Sequence, residues 1–159
     1  MKKIAVADLI KDLSQKLQLR NTTGNAIQEA WWILEKLTNQ SQASLVMAQT
    51  LILDEQQQQT LDHWISQRVD EKKPLQYILG SVPFCSLDIL VQPPVLIPRP
   101  ETEEMVCWLI DIIKKSSKTK ISILDLCCGS GCIGLALAHA LPEATVLGTD
   151  ISPHAVCLA

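Results

Sequence analysis

The chain has 159 residues, 47% of them hydrophobic, enough for one domain or two small ones with a packed core. Its 14 Lys and Arg against 17 Asp and Glu give a formal charge of −3, and no basic stripe is long enough to follow a phosphate backbone, so no direct nucleic-acid binding is expected. No apolar run reaches the roughly 20 residues that cross a bilayer, and Asp8 and Asp12 interrupt the opening segment where a signal peptide is continuously apolar; no membrane partner and a cytoplasmic location are expected.

Residues 1–73 read as a helical bundle. Ile4, Leu9, Ile10, Leu13 and Leu17 recur at helical spacing, and Asn25 with Gln28 three residues on resembles a capping box opening a second helix. Residues 41–50 are a short third candidate. Asp54 with Gln57 opens a fourth, in which Leu61, Trp64, Ile65 and Val69 form an apolar stripe and the Gln56–Gln59 run faces water. Trp31, Trp32 and Trp64 are expected to fill the core of this bundle.

After Pro74 the texture changes. "LQYILGSVPFCSLDILVQPPVLIP" is rich in branched and aromatic residues and punctuated by Gly80, Pro83, Pro93 and Pro94, which predicts a β-hairpin and a proline-stiffened linker over 74–98. Pro100 then opens a helix with Glu101, Glu103 and Glu104 at its positive end and Lys114 and Lys115 at its negative end. Met105, Val106, Trp108, Leu109, Ile112 and Ile113 give it a wide apolar face, expected to pack on a neighbouring element.

"ISILDLC" has strand length, "CIGLALAHAL" reads as a helix, and "ATVLGTD" as a second strand ending in an acid. Together they make a strand, turn, helix, strand unit of about 30 residues, the size of a right-handed parallel crossover. The turn between them, "CCGSG", begins just after Asp125. Its glycines permit backbone angles and close approaches that a side chain forbids, and the helix that follows offers unpaired amides. Gly129, Gly131 and Gly134 fit the G-x-G-x-x-G spacing of a dinucleotide site, with Asp150 placed for ribose hydroxyls. A nucleoside cofactor without pyrophosphate, such as S-adenosyl-L-methionine, fits the same turn, with Asp125 at the strand end and Asp150 on the ribose. An unliganded strand-to-helix turn is the remaining alternative.

All six cysteines, Cys85, Cys107, Cys127, Cys128, Cys132 and Cys157, lie in the second half. Without a secretory signal they are expected to be reduced thiols, and their spacing, with His63, His139 and His154 scattered, supplies no zinc pattern, so no metal is expected.

Residues 74–106, "PLQYILGSVPFCSLDILVQPPVLIPRPETEEMV", closely resemble the segment preceding the catalytic core in bacterial peptide chain release factor glutamine methyltransferases, the PrmC/HemK family. Pro74, Leu75, Tyr77, Gly80 and Phe84 match its "PLxYhxGxxxF" signature, and "IPRPETE" matches its most distinctive run. "ILDLCCGSGCIGLALA" and "VLGTDIS" look like its cofactor turn and ribose-binding acid. The resemblance is strong over about residues 74–157 and, over 1–73, extends only to a helical bundle of suitable size. A family that methylates a ribosomal-protein glutamine shares the turn but lacks "RPETE".

The resemblance implies an α/β fold: a substrate-recognition helical bundle (1–73), a β-hairpin linker (74–98), and the start of a class I, Rossmann-like methyltransferase domain (99–159), shortened. It implies S-adenosyl-L-methionine as cofactor and release factors as partners, the methyl group going to the side-chain amide nitrogen of the glutamine in their Gly-Gly-Gln loop. Cys127, Cys128, Gly129, Ser130 and Gly131 would line the methionine part of the cofactor through backbone amides, and Asp150 would hold the ribose, its bland alternative being a cap on its own turn. Arg99, Pro100, Glu101 and Thr102 would border the cofactor and the glutamine entrance, Glu101 alternatively being a helix-start carboxylate. Tyr77 would pack the hairpin. Two departures stand out: Cys127 replaces a glycine the family often has, and no Asn-Pro-Pro-Tyr, the family's source of amide acceptors, occurs. These residues are therefore expected to be inactive alone, with no catalytic residue among them. Alternatives are a ribosomal-protein methyltransferase, a fragment of a nicotinamide-dependent oxidoreductase, and a non-catalytic module that binds release factors.

Overall fold

The computed structural model describes residues 3–18, 25–116 and 120–159, and the chain divides into two compact units, Met1–Leu79 and Gly80–Ala159. No helix among the described residues is long and apolar enough to cross a membrane.

In the first unit, β1 (Lys3–Ala5) is followed by the helices α1 (Val6–Gln18), α2 (Ala26–Thr38) and α3 (Gln42–Ala48), then β2 (Thr50–Ile52), α4 (Glu55–Val69) and α5 (Leu75–Leu79). Val6, Ile10, Leu13 and Leu17 place one stripe of α1 in a core completed by Ala30, Ile33 and Leu34 of α2, Leu45 of α3, Leu61 of α4 and Leu75 of α5. Helix starts follow the side chains: Gln28 N–H donates to Asn25 Oδ1, and Asp54 and Gln57 form a reciprocal capping box. Gln56, Gln58 and Gln59 are exposed, as a solvated face requires.

Three expectations are corrected here. Ile4 belongs to β1, where it pairs antiparallel with Leu51, rather than to the helical stripe. Trp31 and Trp64 pack on the core, but Trp32 is 40% exposed, because the adjacent position on α2 points away from the buried stripe. Leu75–Leu79 is helical rather than extended; its first turn closes through Tyr77 N–H to Pro74 O. Proline has no amide to lose at such a start, which outweighs the strand-like composition of "LQYIL".

The second unit opens with a hairpin, β3 (Ser81–Phe84) and β4 (Leu87–Leu90), followed by a connector and α6 (Pro100–Lys115). Then come β5 (Ser122–Leu126), α7 (Cys132–Ala140), β6 (Thr145–Thr149) and α8 (Pro153–Leu158). β5 and β6 pair in parallel, Ser122 with Thr145 through Leu126 with Thr149, so the crossover read from the sequence is present. Phe84, Ile89, Val106, Ile110, Cys132, Ala136 and Leu137 form the core joining hairpin, α6 and α7.

The apolar face of α6 is only partly used. Val106 and Ile110 are buried, whereas Met105, Trp108 and Ile112 are exposed, Trp108 by 66%, because the hairpin and α7 cover a narrower strip than the sequence offers. On the small parallel sheet, α7 packs on one face while Leu124, Leu126 and Leu147 are exposed on the other.

Candidate functional site

The site grows from the end of β5. Cys127 takes φ +63° and Gly129 φ +58°, turning the chain sharply before Gly131, at φ +74°, becomes the N-cap of α7. A left-handed angle is free for glycine and costs an L-residue roughly 1–2 kcal/mol, so Cys127 carries strain where the turn needs its bend.

Gly131 has no side chain to cap α7. Asp125 does it from β5: its Oδ2 accepts the Gly134 N–H at 2.9 Å, and Asp125 is buried. A Cβ on Gly134 would lie 3.1 Å from that oxygen and 3.4 Å from Val146 Cγ1, so the third glycine of the run lets helix and sheet meet. Sequence reasoning placed Asp125 at the strand end but not as this cap. The signal was a glycine at the N-cap position with an acid at the end of the preceding strand.

Asp150, just past β6, is tied to the same turn. Its Oδ2 accepts the Gly129 N–H at 2.9 Å and its Oδ1 the Ser152 N–H at 2.8 Å. The Ser152 and Gly129 amides hold its carboxyl below the ordinary 3.8, so it is an anion and a pure acceptor at neutral pH. Ser152 is the N-cap residue of α8 but makes no side-chain cap; its amide serves Asp150 instead, while Pro153 stands in the first turn of the helix.

A cleft of about 410 Å³ opens over this turn, within the second unit. Cys127, Cys128, Gly129, Ser130 and Asp150 line it, with Arg99, Thr102 and the connector residues Pro94 to Pro98 opposite. Pro100, Glu101 and Gly131 are not in its wall; Glu101 is exposed in the first turn of α6, and Gly131 lines a second cavity with Asp125 and Gly134. The amides of Cys128, Gly129 and Gly131 are engaged within the turn, by Thr149 O, Asp150 Oδ2 and Cys128 O respectively.

Two of the thiols here, Cys128 and Cys132, are held toward the protonated form. Burial, then the nearby Asp125 and Asp150 charges, push the Cys128 thiol up, and burial foremost does the same for Cys132. All six cysteines are free, and no group of three metal-ligating side chains occurs among the described residues.

The residues fit a nucleoside ligand better than a dinucleotide. The open space beside Gly129, where a Cβ would meet nothing within 4 Å, leaves the turn approachable. A carboxylate has about four lone-pair sites, and the Gly129 and Ser152 amides each bind a different oxygen of Asp150, so it keeps acceptor capacity for ribose hydroxyls. A pyrophosphate needs the amides at the start of α7, and there Asp125 already sits with its negative charge.

Residues 8–80 match the PrmC N-terminal domain and residues 106–159 the methyltransferase small domain. The chain is 42% identical over 130 residues to the release factor glutamine methyltransferase of Flavobacterium psychrophilum, covering 80% of this chain and 45% of that protein. It is 36% identical over 156 residues to the one of Coxiella burnetii, covering 98% and 54%, and 36% identical over 137 residues to that of Streptococcus pneumoniae, covering 86% and 48%. The chain thus spans about half the length of the curated relatives it matches. Two domain matches in order, over a parallel crossover with its acid-tied turn, place the chain in the release factor glutamine methyltransferase (PrmC/HemK) family.

Proposed function

We propose that the cleft over the turn 127–130 binds S-adenosyl-L-methionine, and that the protein of which these residues form the matching part methylates the glutamine of the Gly-Gly-Gln loop of release factors in the cytoplasm. The observation that carries this reading is the pair of carboxylates: Asp150 facing the cleft with acceptor capacity to spare, and Asp125 filling the anion position of α7.

In this reading Asp150 accepts from the ribose hydroxyls, and the turn 127–131 lies along the methionine part. Because the amides of Cys128, Gly129 and Gly131 are engaged internally, carbonyl oxygens and the Ser130 amide are the groups left to meet the amino-acid end. The cofactor supplies an electrophilic methyl on a sulfonium. In this reading Arg99 and Thr102, in the cleft wall, flank the opening through which a glutamine side chain enters, and Pro100 and Glu101 lie between them in the chain. An amide nitrogen is a weak nucleophile, its lone pair being delocalised into the carbonyl, so transfer needs acceptors on its NH2 group and in-line placement. The family draws them from Asn-Pro-Pro-Tyr, which these 159 residues lack. The helical unit is the surface we assign to the release factor.

Methyl-tritiated S-adenosyl-L-methionine and a purified release factor test this. The 159-residue chain is expected to transfer no label, and the same chain continued through an Asn-Pro-Pro-Tyr segment to label the loop glutamine. Transfer by the short chain would contradict the placement of the amide acceptors; labelling of a ribosomal protein instead would favour the sister family.

A further inference from the structure

The hairpin β3–β4 turns through two residues, Cys85 at φ +46° and Ser86 at φ +67°, with Phe84 and Leu87 paired on either side. A two-residue loop with both angles positive usually takes glycine or asparagine, so neither residue suits it. What holds it is α6. Cys85 N–H donates to Glu103 Oε1 at 2.7 Å, Cys85 Sγ lies 3.9 Å from Glu103 O, and Cys85 Sγ stands 3.4 Å from Cys107 Sγ. Glu103 and Cys107 are four apart and share one face of the helix, so the turn meets both.

From this geometry we propose that Cys85 and Cys107 form a thiol–disulfide modification site, which a low-molecular-weight disulfide of the glutathione type converts to an intrachain bond. Both thiols are free in the structure, and a bond of about 2.04 Å requires the sulfurs to close by about 1.4 Å, within the reach of side-chain rotation. The two partners differ in access. Cys107 is exposed, whereas Cys85 is half-buried and its thiol is pushed up to about 12, by burial first and then by Cys107 and Glu103. Cys107 is therefore the entry thiol and Cys85 the resolving one.

The chemistry balances. The Cys107 thiolate attacks one sulfur of glutathione disulfide, forming a mixed disulfide and releasing one glutathione thiolate. Cys85 gives its proton to solvent, its sulfur attacks the Cys107 sulfur, and a second glutathione thiolate leaves. Two protein thiols lose two electrons and two protons, and one glutathione disulfide becomes two glutathione thiols. The new bond staples the strained turn to α6, whose N-cap Arg99 and first-turn Thr102 stand in the cleft wall.

The test is to treat the reduced, folded chain with glutathione disulfide, quench with acid, and map the products by non-reducing peptide mass spectrometry. The expected main intrachain product is a pair of peptides joined through Cys85 and Cys107, two hydrogens lighter than their sum. Cys85→Ser is expected to stop at a stable glutathione adduct on Cys107, and unfolding in urea to abolish the preference for this pair. Persistence of that adduct in the unsubstituted chain, dominant links through Cys127, Cys128, Cys132 or Cys157, or the same pattern in urea would each overturn the proposal.

Discussion

Asp150 Oδ2 accepts the Gly129 N–H at 2.9 Å, joining the loop after β6 to the turn after β5. One carboxylate thus fixes the spacing of the two loops that frame the cleft. Its ionised form is favoured by the Ser152 and Gly129 amides, so its folded value lies below its unfolded one. A depressed acid contributes stability that is present above the unfolded value and is lost as pH falls through the folded one. Thermal melts of Asp150→Asn and the unsubstituted chain are expected to converge as pH falls from about 5 to about 2, near and below the carboxylate range. Equal spacing between the two melting curves at every pH would contradict the assignment.

Cys127 should be improved by glycine. Relief of a left-handed angle is worth about 1–2 kcal/mol, and the added freedom of the unfolded chain takes back about 0.5–1 kcal/mol. Cys127→Gly is therefore expected to gain about 0.5–1 kcal/mol in urea unfolding, whereas Cys127→Ala keeps the strain and gains nothing. A loss on Cys127→Gly would show that the thiol makes contacts outweighing the strain.

Gly134 should resist alanine despite helix propensity. Alanine favours a helix by about 1 kcal/mol over glycine, but overpacking costs about 1–3 kcal/mol. The new Cβ would stand 3.1 Å from Asp125 Oδ2, an oxygen that cannot retreat without loosening its bond to the Gly134 amide. A net loss of about 1 kcal/mol is expected from Gly134→Ala, read by the same unfolding measurement.

How much of this was legible beforehand follows from physical range. The Asp54 and Gln57 box, the Pro100 helix start and the β5–α7–β6 crossover were readable because each is set by residues near in sequence. β1 and β2 are three-residue strands whose partners lie 45 to 49 positions apart, from Ala5 with Thr50 to Lys3 with Ile52, too short to show any periodicity. The α5 helix was hidden because branched and aromatic residues favour strands in isolation, while its actual state is set by Pro74 and by burial of Leu75. In the site, the glycine turn and Asp150 were legible as candidates from spacing, their assignment to a cofactor coming only from the resemblance. The engagement of three of its amides and the capping by Asp125 were not, since both depend on how β5, α7 and β6 approach one another.

The first unit has its own critical contact. Arg68 grips Glu29 through two hydrogen bonds, Nη2 to Oε1 at 2.6 Å and Nε to Oε2 at 2.9 Å, with only 15% and 10% of the two side chains exposed. Arg68→Ala removes the charge partner of a nearly buried carboxylate and is expected to cost about 3 kcal/mol. Arg68→Met with Glu29→Leu, which removes both charges, is expected to recover most of that loss; a double variant as weak as the single one would argue that packing of the arginine stem dominates.

Isothermal titration of the 159-residue chain with S-adenosylhomocysteine, the demethylated form of the proposed donor, and separately with a nicotinamide dinucleotide, bears most directly on the cleft. Saturable one-to-one binding of the nucleoside is expected, weakened at least tenfold by Asp150→Ala with the fold intact by circular dichroism, and none of the dinucleotide. Binding of the dinucleotide in its place, or nucleoside binding indifferent to Asp150, would contradict the account.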